Sequence, residues 1–351
     1  MSKTRVAVIG TGPHPETAAS RDGYSMGYRH ARDYRDIENC SLVACADIVP
    51  KHARDFAAEF GVADERVYED YCELLADIEP DLVSVCTPPK THPDIVDDCA
   101  QSGHVRGIHC EKPMAHTWGE STRMVDLCQE AGVRLTFNLQ SRCSEAAMMA
   151  KELLDAGEIG DLRRLEVSRR DLLQTAIHNI SMAHYFNDDR DVEWVIGQVD
   201  YRDERVWYTD MYSEDQAIGQ WAYENGVQAI ICAGDDFETV GRFNRIIGTE
   251  GVIELGPRND PPLRIRRRGD MEWEAVDAEV GTGSKDAQCA ALATVIDALE
   301  RDEPSPLDAD VALNASKVVY AIWESARRRG RVELPLDIED NPLADLIESS
   351  S

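Results

Sequence analysis

Gly10-Thr11-Gly12 follows the apolar run Val6-Ala-Val-Ile9 directly. A backbone without Cβ there can turn tightly and approach a pyrophosphate. The next candidate glycine, Gly27, lies beyond a polar stretch, 13–25. That stretch reads as an insertion in the turn, with Gly27-Tyr-Arg29-His30-Ala31 opening a helix. A lone Gly-x-Gly also suits a plain strand-to-helix turn. Asp47 ends the run Leu42–Ala46, where a carboxylate can accept hydrogen bonds from an adenosine ribose. Such a carboxylate would repel a 2′-phosphate, which favours NAD over NADP. Asp47 lies further from the glycines than the usual ~20 residues, by about the length of the insertion. It could also cap the following helix, and the two roles can coexist. Cys86-Thr87-Pro88-Pro89-Lys90-Thr91-His92 follows the run Leu82–Cys86, and its prolines fix a loop where ligands bind. Glu111-Lys112-Pro113 follows the run Gly107–Cys110. A lysine held there by a proline can reach a substrate; read alone, a solvated side chain is the better reading. No His-x-x-x-His, His-Glu-x-x-His or Cys-x-x-Cys spacing occurs, so no metal is expected.

Something must hold these groups at one edge. Five apolar runs, Val6–Ile9, Leu42–Ala46, Leu82–Cys86, Gly107–Cys110 and Leu135–Phe137, alternate with helical patterns. Continuous apolar runs of this length predict parallel strands buried on both faces, the βαβ signature of a doubly wound sheet. After residue 138 the pattern changes. Helices are predicted over Glu145–Ala156 and Gln174–Phe186, followed by strands. Tyr223-Glu-Asn225-Gly226-Val predicts a hairpin, because Asn-Gly tolerates positive φ. A last helix, Asp308–Arg329, puts Val311, Ala315, Val318, Ile322 and Ala326 on one face. The predicted fold class is therefore α/β. A Rossmann domain, 1–138, precedes an α+β domain, 139–340, with a large open, mostly antiparallel sheet. The polar tail, 341–351, is expected to fray.

Composition bounds the partners. The 351 residues carry 37 Lys+Arg against 66 Asp+Glu, a formal net charge of -29. Nucleic acid and anionic membranes would repel such a chain. No apolar stretch approaches a membrane span and no signal peptide is apparent, so a cytoplasmic protein is expected. Ten scattered cysteines read as small core residues in a reducing compartment, with Cys45, Cys86 and Cys110 buried in apolar runs. Only seven of the basic residues are lysine, which makes Lys112 conspicuous. A dinucleotide also needs a local cation on so acidic a chain, and Arg21 and Arg29 are the nearest candidates.

Taken in order, Gly10-Thr-Gly12, His30-Ala31, Asp47, Thr87-Pro88 with His92, Glu111-Lys112-Pro113, Asn138-Leu-Gln140-Ser-Arg142, Gly157-Glu-Ile-Gly160 and Gly248-Thr-Glu-Gly251 resemble the Gfo/Idh/MocA oxidoreductases. The resemblance covers nearly the whole chain. It implies a Rossmann domain binding NAD(P) and a second domain whose sheet mediates homo-oligomerisation, as a dimer or tetramer. It implies hydride transfer between nicotinamide and a hydroxyl-bearing carbon of a sugar, polyol or cyclitol. Lys112 maps onto the family's catalytic lysine. The family's Asp-x-x-x-His maps onto Gln174-Thr-Ala-Ile-His178, so the aspartate is replaced. On one helix Gln174, His178, Ser181 and Tyr185 would share a face, while His184 points elsewhere. Gln174 lends His178 no charge, which leaves a neutral imidazole suited to act as base. Lys112 is the alternative base, or the cation that stabilises a developing alkoxide. His92 and Asn138 line the cofactor region in the analogy; Arg142, Ser181 and Tyr185 are candidate substrate contacts. Two other readings stay open: a glycoside-cleaving enzyme that retains NAD, and a dinucleotide-binding regulator without turnover.

Overall fold

A computed structural model describes residues 3–15, 25–201, 205–206, 211–235, 237, 242–256, 261–278 and 285–350. Arg21, most of the 13–25 insertion and much of the 201–212 stretch lie outside the described residues. The chain forms two compact units. The first comprises Met1–His116, Glu120–Asn138 and Gln288–Asp310; the second comprises Thr117–Gly119, Leu139–Ala287 and Val311–Ser351. A second domain running unbroken over 139–340 is thus not what forms, because 288–310 returns to the first unit. There Phe137 N–H donates to Leu307 O at 3.0 Å, and Arg134 pairs with Asp308 at 3.2 Å.

Among the described residues the first unit holds six parallel strands: β1 Thr4–Ile9, β2 Cys40–Ala46, β3 Val67–Tyr68, β4 Leu82–Val85, β5 Gly107–Cys110 and β6 Arg134–Phe137. Their order, β3-β2-β1-β4-β5-β6, reverses at β1. The carboxyl ends of β1 and β4 therefore flank the topological switch point, where open α/β sheets bind ligands. The helices are α1 Met26–Asp36, α2 Pro50–Phe60, α3 Tyr71–Ile78, α4 His92–Gln101 and α5 Trp118–Ala131. Tyr28 and Phe56 join α1 to α2 edge-to-face at 5.2 Å, over a core that includes Val8, Cys45 and Ala57.

The second unit contains α6 Glu145–Asp155, α7 Ile177–Phe186, α9 Ala309–Arg328 and α10 Pro342–Ser350; α8, Lys285–Arg301, runs from it into the first unit. Its strands are β7 Leu162–Arg169, β8 Val192–Asp200, β9 Arg205–Val206, β10 Tyr212–Ser213, β11 Gln216–Tyr223, β12 Gln228–Gly234, β13 Asn244–Gly248, β14 Gly251–Leu255, β15 Leu263–Arg267, β16 Glu274–Val276 and β17 Val332–Glu333. Among the described residues nine form one sheet, β16-β15-β14-β13-β7-β12-β11-β8-β17, antiparallel except for the β12–β7 pair. Gly197 and Gly219 let α9 press onto this sheet: a Cβ at either would sit 2.7 or 2.4 Å from Ile322. The β11–β12 hairpin forms as expected, with Gly226 alone of the Asn-Gly pair at positive φ. A glycine ending the loop closes it, in place of a two-residue turn with both residues left-handed.

The tail is a correction. Asn341 accepts from the amides of Leu343 and Ala344 at 3.1 and 3.2 Å, Pro342 takes the first helical position, and Leu343 and Ile347 are buried. A cap, a pre-set φ and an i, i+4 apolar pair are enough to form α10.

Candidate functional site

The glycine turn is the tightest part of the first unit. Gly10 adopts φ +85°, and a Cβ there would lie 2.6 Å from Thr87 Cγ2 and 2.8 Å from Thr87 N. Gly12 adopts φ +67°. A Cβ on Gly27 would lie 2.8 Å from Gly10 O and 2.9 Å from Thr11 Cα. Gly27 thus lets α1 seat directly on the turn, the packing that the third glycine of a dinucleotide fingerprint permits. The insertion separates the glycines in sequence and leaves them together in space.

Asp47 closes onto that turn. Its Oδ2 accepts from Thr11 Oγ1 at 3.1 Å and from Gly12 N–H at 2.8 Å, and its Oδ1 accepts from Val49 N–H at 2.9 Å. Val49, not Asp47, is the N-cap of α2. The carboxylate therefore lies at the carboxyl end of β2, against the glycine backbone.

The loops after β4 and β5 are braced together. His92 is fully buried; its Nδ1 lies 3.0 and 3.1 Å from the carbonyls of Pro113 and Met114, and its Nε2 lies 2.9 Å from that of Thr87. Burial lowers its pKa and keeps the ring neutral. Thr87 Oγ1 accepts from Thr91 at 2.8 Å, while Pro88 is exposed. Through His92 the Thr87-Pro88 loop and the segment after Lys112 hold each other.

Glu111 turns inward. It is 6% exposed. Its Oε1 lies 2.9 Å from His30 Nε2 and accepts from Asn138 Nδ2 at 2.6 Å, and its Oε2 accepts from the Lys112 amide at 3.3 Å. His30 Nδ1 lies 2.7 Å from Ser84 Oγ and 3.5 Å from Cys86 Sγ. Burial alone would lower the His30 pKa, but Cys86 and Glu111 outweigh it and raise it. Burial alone would raise Glu111, but His30, Lys112 and Asn138 hold it below the usual carboxylate range. The result is a buried ion pair linking α1, β4, β5 and the end of β6, with half-buried Lys112 beside it. The neighbouring His109 is pushed down to about 3, by burial and then by the His30 charge. Cys86 is only partly buried, unlike Cys45 and Cys110.

In the second unit the predicted helix starts irregularly. Leu172–Ala176 forms a π turn ahead of α7. Such a turn closes i to i+5 and shifts the helical phase, so the spacing counted from Gln174 to His178 is not that of an α-helix. Gln174 and His178 are both nearly buried, and Gln174 Nε2 contacts Met211 Sδ at 3.8 Å. Asp171 caps the turn, accepting from the amides of Gln174 and Thr175 at 2.7 and 2.9 Å. Glu214, missed in the sequence, accepts from Leu172 N–H at 2.6 Å and Trp323 Nε1–H at 3.2 Å. Burial, then the Asp171 charge, pushes Glu214 up to about 7. No local motif marks it, because its partners lie far away in the chain.

Arg142, Ser181 and Tyr185 do come together, as a knot. Arg142 Nε donates to Ser181 Oγ at 2.6 Å and Nη2 to Ser181 O at 2.7 Å. Its fork also holds Asp189 at 2.5 and 3.0 Å, and its Cζ lies 5.6 Å from the Tyr185 ring centroid. His184 faces away, edge-on to Tyr223 at 5.4 Å, and burial pushes it down to about 3. Among the described residues no group of three or more His, Cys, Asp or Glu could hold a metal ion, and no helix is long and apolar enough to cross a membrane.

A parallel sheet in this order, with three glycines packed at its switch point and an acid on the turn, defines a Rossmann dinucleotide-binding protein. Its residues also match a known family in sequence. Residues 4–139 match the GFO_IDH_MocA oxidoreductase family, NAD-binding Rossmann fold, and 151–334 match that family's C-terminal alpha/beta domain. The chain belongs to this oxidoreductase family. It is 25% identical to the scyllo-inositol 2-dehydrogenase (NAD(+)) of Bacillus subtilis, over 95% of this chain and 96% of that one. It is 28% identical to the myo-inositol 2-dehydrogenase of Thermotoga maritima, over 52% of this chain and 54% of that one. A levoglucosan dehydrogenase solved with NADH and levoglucosan shares the fold with a TM-score of 0.80, at 18% identity, over 95% of this chain and 100% of that one.

Proposed function

We propose that the protein transfers hydride between NAD and a hydroxyl-bearing carbon of a sugar, polyol or cyclitol. The observation that carries this reading is the glycine turn: Gly10, Gly12 and Gly27 let the turn, its neighbouring loop and α1 pack so closely that a Cβ at any of them would press on Thr87, Ser25 or the Gly10 carbonyl. Bound NAD supplies the hydride acceptor or donor. The glycine turn and the start of α1 would hold its pyrophosphate, and Asp47 would lie toward its ribose and disfavour a 2′-phosphate. Thr87, Pro88 and His92 shape the adjoining loop, and Glu111 anchors Lys112. Lys112 and His178 handle the hydroxyl proton, one as base and the other orienting the oxygen. Gln174 lies on the turn leading into the His178 helix. Arg142, Ser181 and Tyr185 keep that helix in place from within. A homo-oligomer built on the large sheet is supported by the exposure of Ile196 and Ile218.

The test is to release and identify any co-purified nucleotide, then screen polyols and sugars for NAD reduction. We expect Lys112→Met to lower kcat by at least about a hundredfold, the usual scale of lost general acid–base catalysis, with NAD binding kept. Unchanged turnover would remove Lys112 from the reaction, and bound NADP would overturn the role of Asp47. Product formed without net NADH would point to the glycoside-cleaving alternative.

A further inference from the structure

Arg169 ends β7, five residues before Gln174. Its Nε–H donates to Asn179 Oδ1 at 2.7 Å, and its Cζ lies 4.0 Å from the Phe243 ring centroid. The two contacts fix the plane and one edge of the guanidinium. Asn179 directly follows His178 on α7. Among the described residues, no carboxylate pairs with Arg169, and none accepts from its Nη1 or Nη2. Other buried or half-buried arginines of the same unit are paired: Arg142 with Asp189, Arg242 with Glu254, and Arg327 with Glu324. Asp171 is the acid whose field reaches Arg169, and its Oδ1 already accepts from two helix amides. Burial lowers the Arg169 pKa to about 10, which leaves it charged at neutral pH.

A half-buried cation still loses much of its hydration, which is costly without a counter-charge. Its remaining donors match the two oxygens of a carboxylate, and its single charge matches a single negative one. The overall charge of -29 makes a local cation more necessary, since the long-range field repels any anionic substrate. We propose that Arg169 is a specificity-determining residue that binds a carboxylate on the substrate, so that the protein acts on a sugar acid. This rests on the proposed role of His178 in the reaction.

The experiment compares acid and neutral partners, D-glucuronate with D-glucose and D-gluconate with D-glucitol, plus D-glucose 6-phosphate. NAD reduction is followed with wild type, Arg169→Gln and Arg169→Lys, and binding is followed by calorimetry in the presence of NAD. Wild type should prefer the acids by roughly 10- to 100-fold in kcat/KM, the scale of a charged hydrogen bond. Arg169→Gln should remove that preference through KM for the acid, and Arg169→Lys should restore part of it. A purely structural role would lower acid and neutral rates together and leave their ratio intact. Equal use of both partners by wild type, an unchanged ratio in Arg169→Gln, or preference for the phosphate ester overturns the inference. Acid binding that depends on Arg169, without NAD reduction, would keep the carboxylate site and overturn the proposed hydride transfer. Turnover of neutral sugars, with acids neither binding nor reacting, would do the reverse. Absence of both would overturn both. Should Arg169→Gln fail to fold, the wild-type ratio and Arg169→Lys decide.

Discussion

Glu111 and His30 form a buried charged pair, and such pairs are costly to break from one side. Glu111→Gln leaves the imidazole without its counter-charge, so we expect a loss of about 3–5 kcal/mol in urea unfolding. Adding His30→Gln should recover part of that loss, because the orphaned charge is then gone; strictly additive losses would argue against coupling. Glu214 has the opposite sign. Its folded pKa is raised to about 7, so its contribution to stability is fully present below the unfolded value of about 4.3 and is lost as pH rises through 7. Glu214→Gln has no such titration. Its stability relative to wild type should rise between pH 4.5 and 7.5 by an amount on the order of 3 kcal/mol. Urea unfolding at both pH values measures this, and a flat difference would contradict it.

At the scale of elements, the junction of β1 and α1 depends on Gly27. A Cβ would meet the Gly10 carbonyl at 2.8 Å, and backbone does not yield as a side-chain tip does. Gly27→Ala should cost about 1–3 kcal/mol, as overpacking typically does, and should weaken NAD binding by displacing the turn. Equilibrium dialysis with NAD, alongside thermal unfolding, tests both effects. The two glycine motifs of the second unit also serve each other. Glu250 N–H donates to Ile159 O at 2.8 Å, and Gly248 has room only for hydrogen, since a Cβ would sit 2.1 Å from the same carbonyl. The π turn before α7 was not legible, because its residues also suit a continuous helix. What selects it is Asp171 and Glu214 gripping the first amides.

Across the whole molecule the acidic excess acts as self-repulsion. Raising KCl from 0.1 to 1 M shortens the screening length from about 10 to about 3 Å. The thermal midpoint should rise with it, because a net charge of -29 opposes compaction. A midpoint that falls would mean that ion pairs such as those of Arg327 outweigh the repulsion.

The order of apolar runs was enough to read the doubly wound sheet, since a strand buried on both faces must be apolar throughout. The glycine turn, Asp47 and Glu-Lys-Pro were legible for a related reason: a motif read within one turn needs no knowledge of distant partners. The α10 signals, Asn341-Pro342 with Leu343 and Ile347, were also present, hidden by a polar composition. Tertiary structure decided the rest. It turned Glu111 inward, committed Arg142 to Ser181 and Asp189, raised Glu214, and left Arg169 without a paired acid among the described residues. Each outcome depends on which distant charge or hydrogen-bond partner packs alongside and on how much water burial removes, and neither is a property of local spacing.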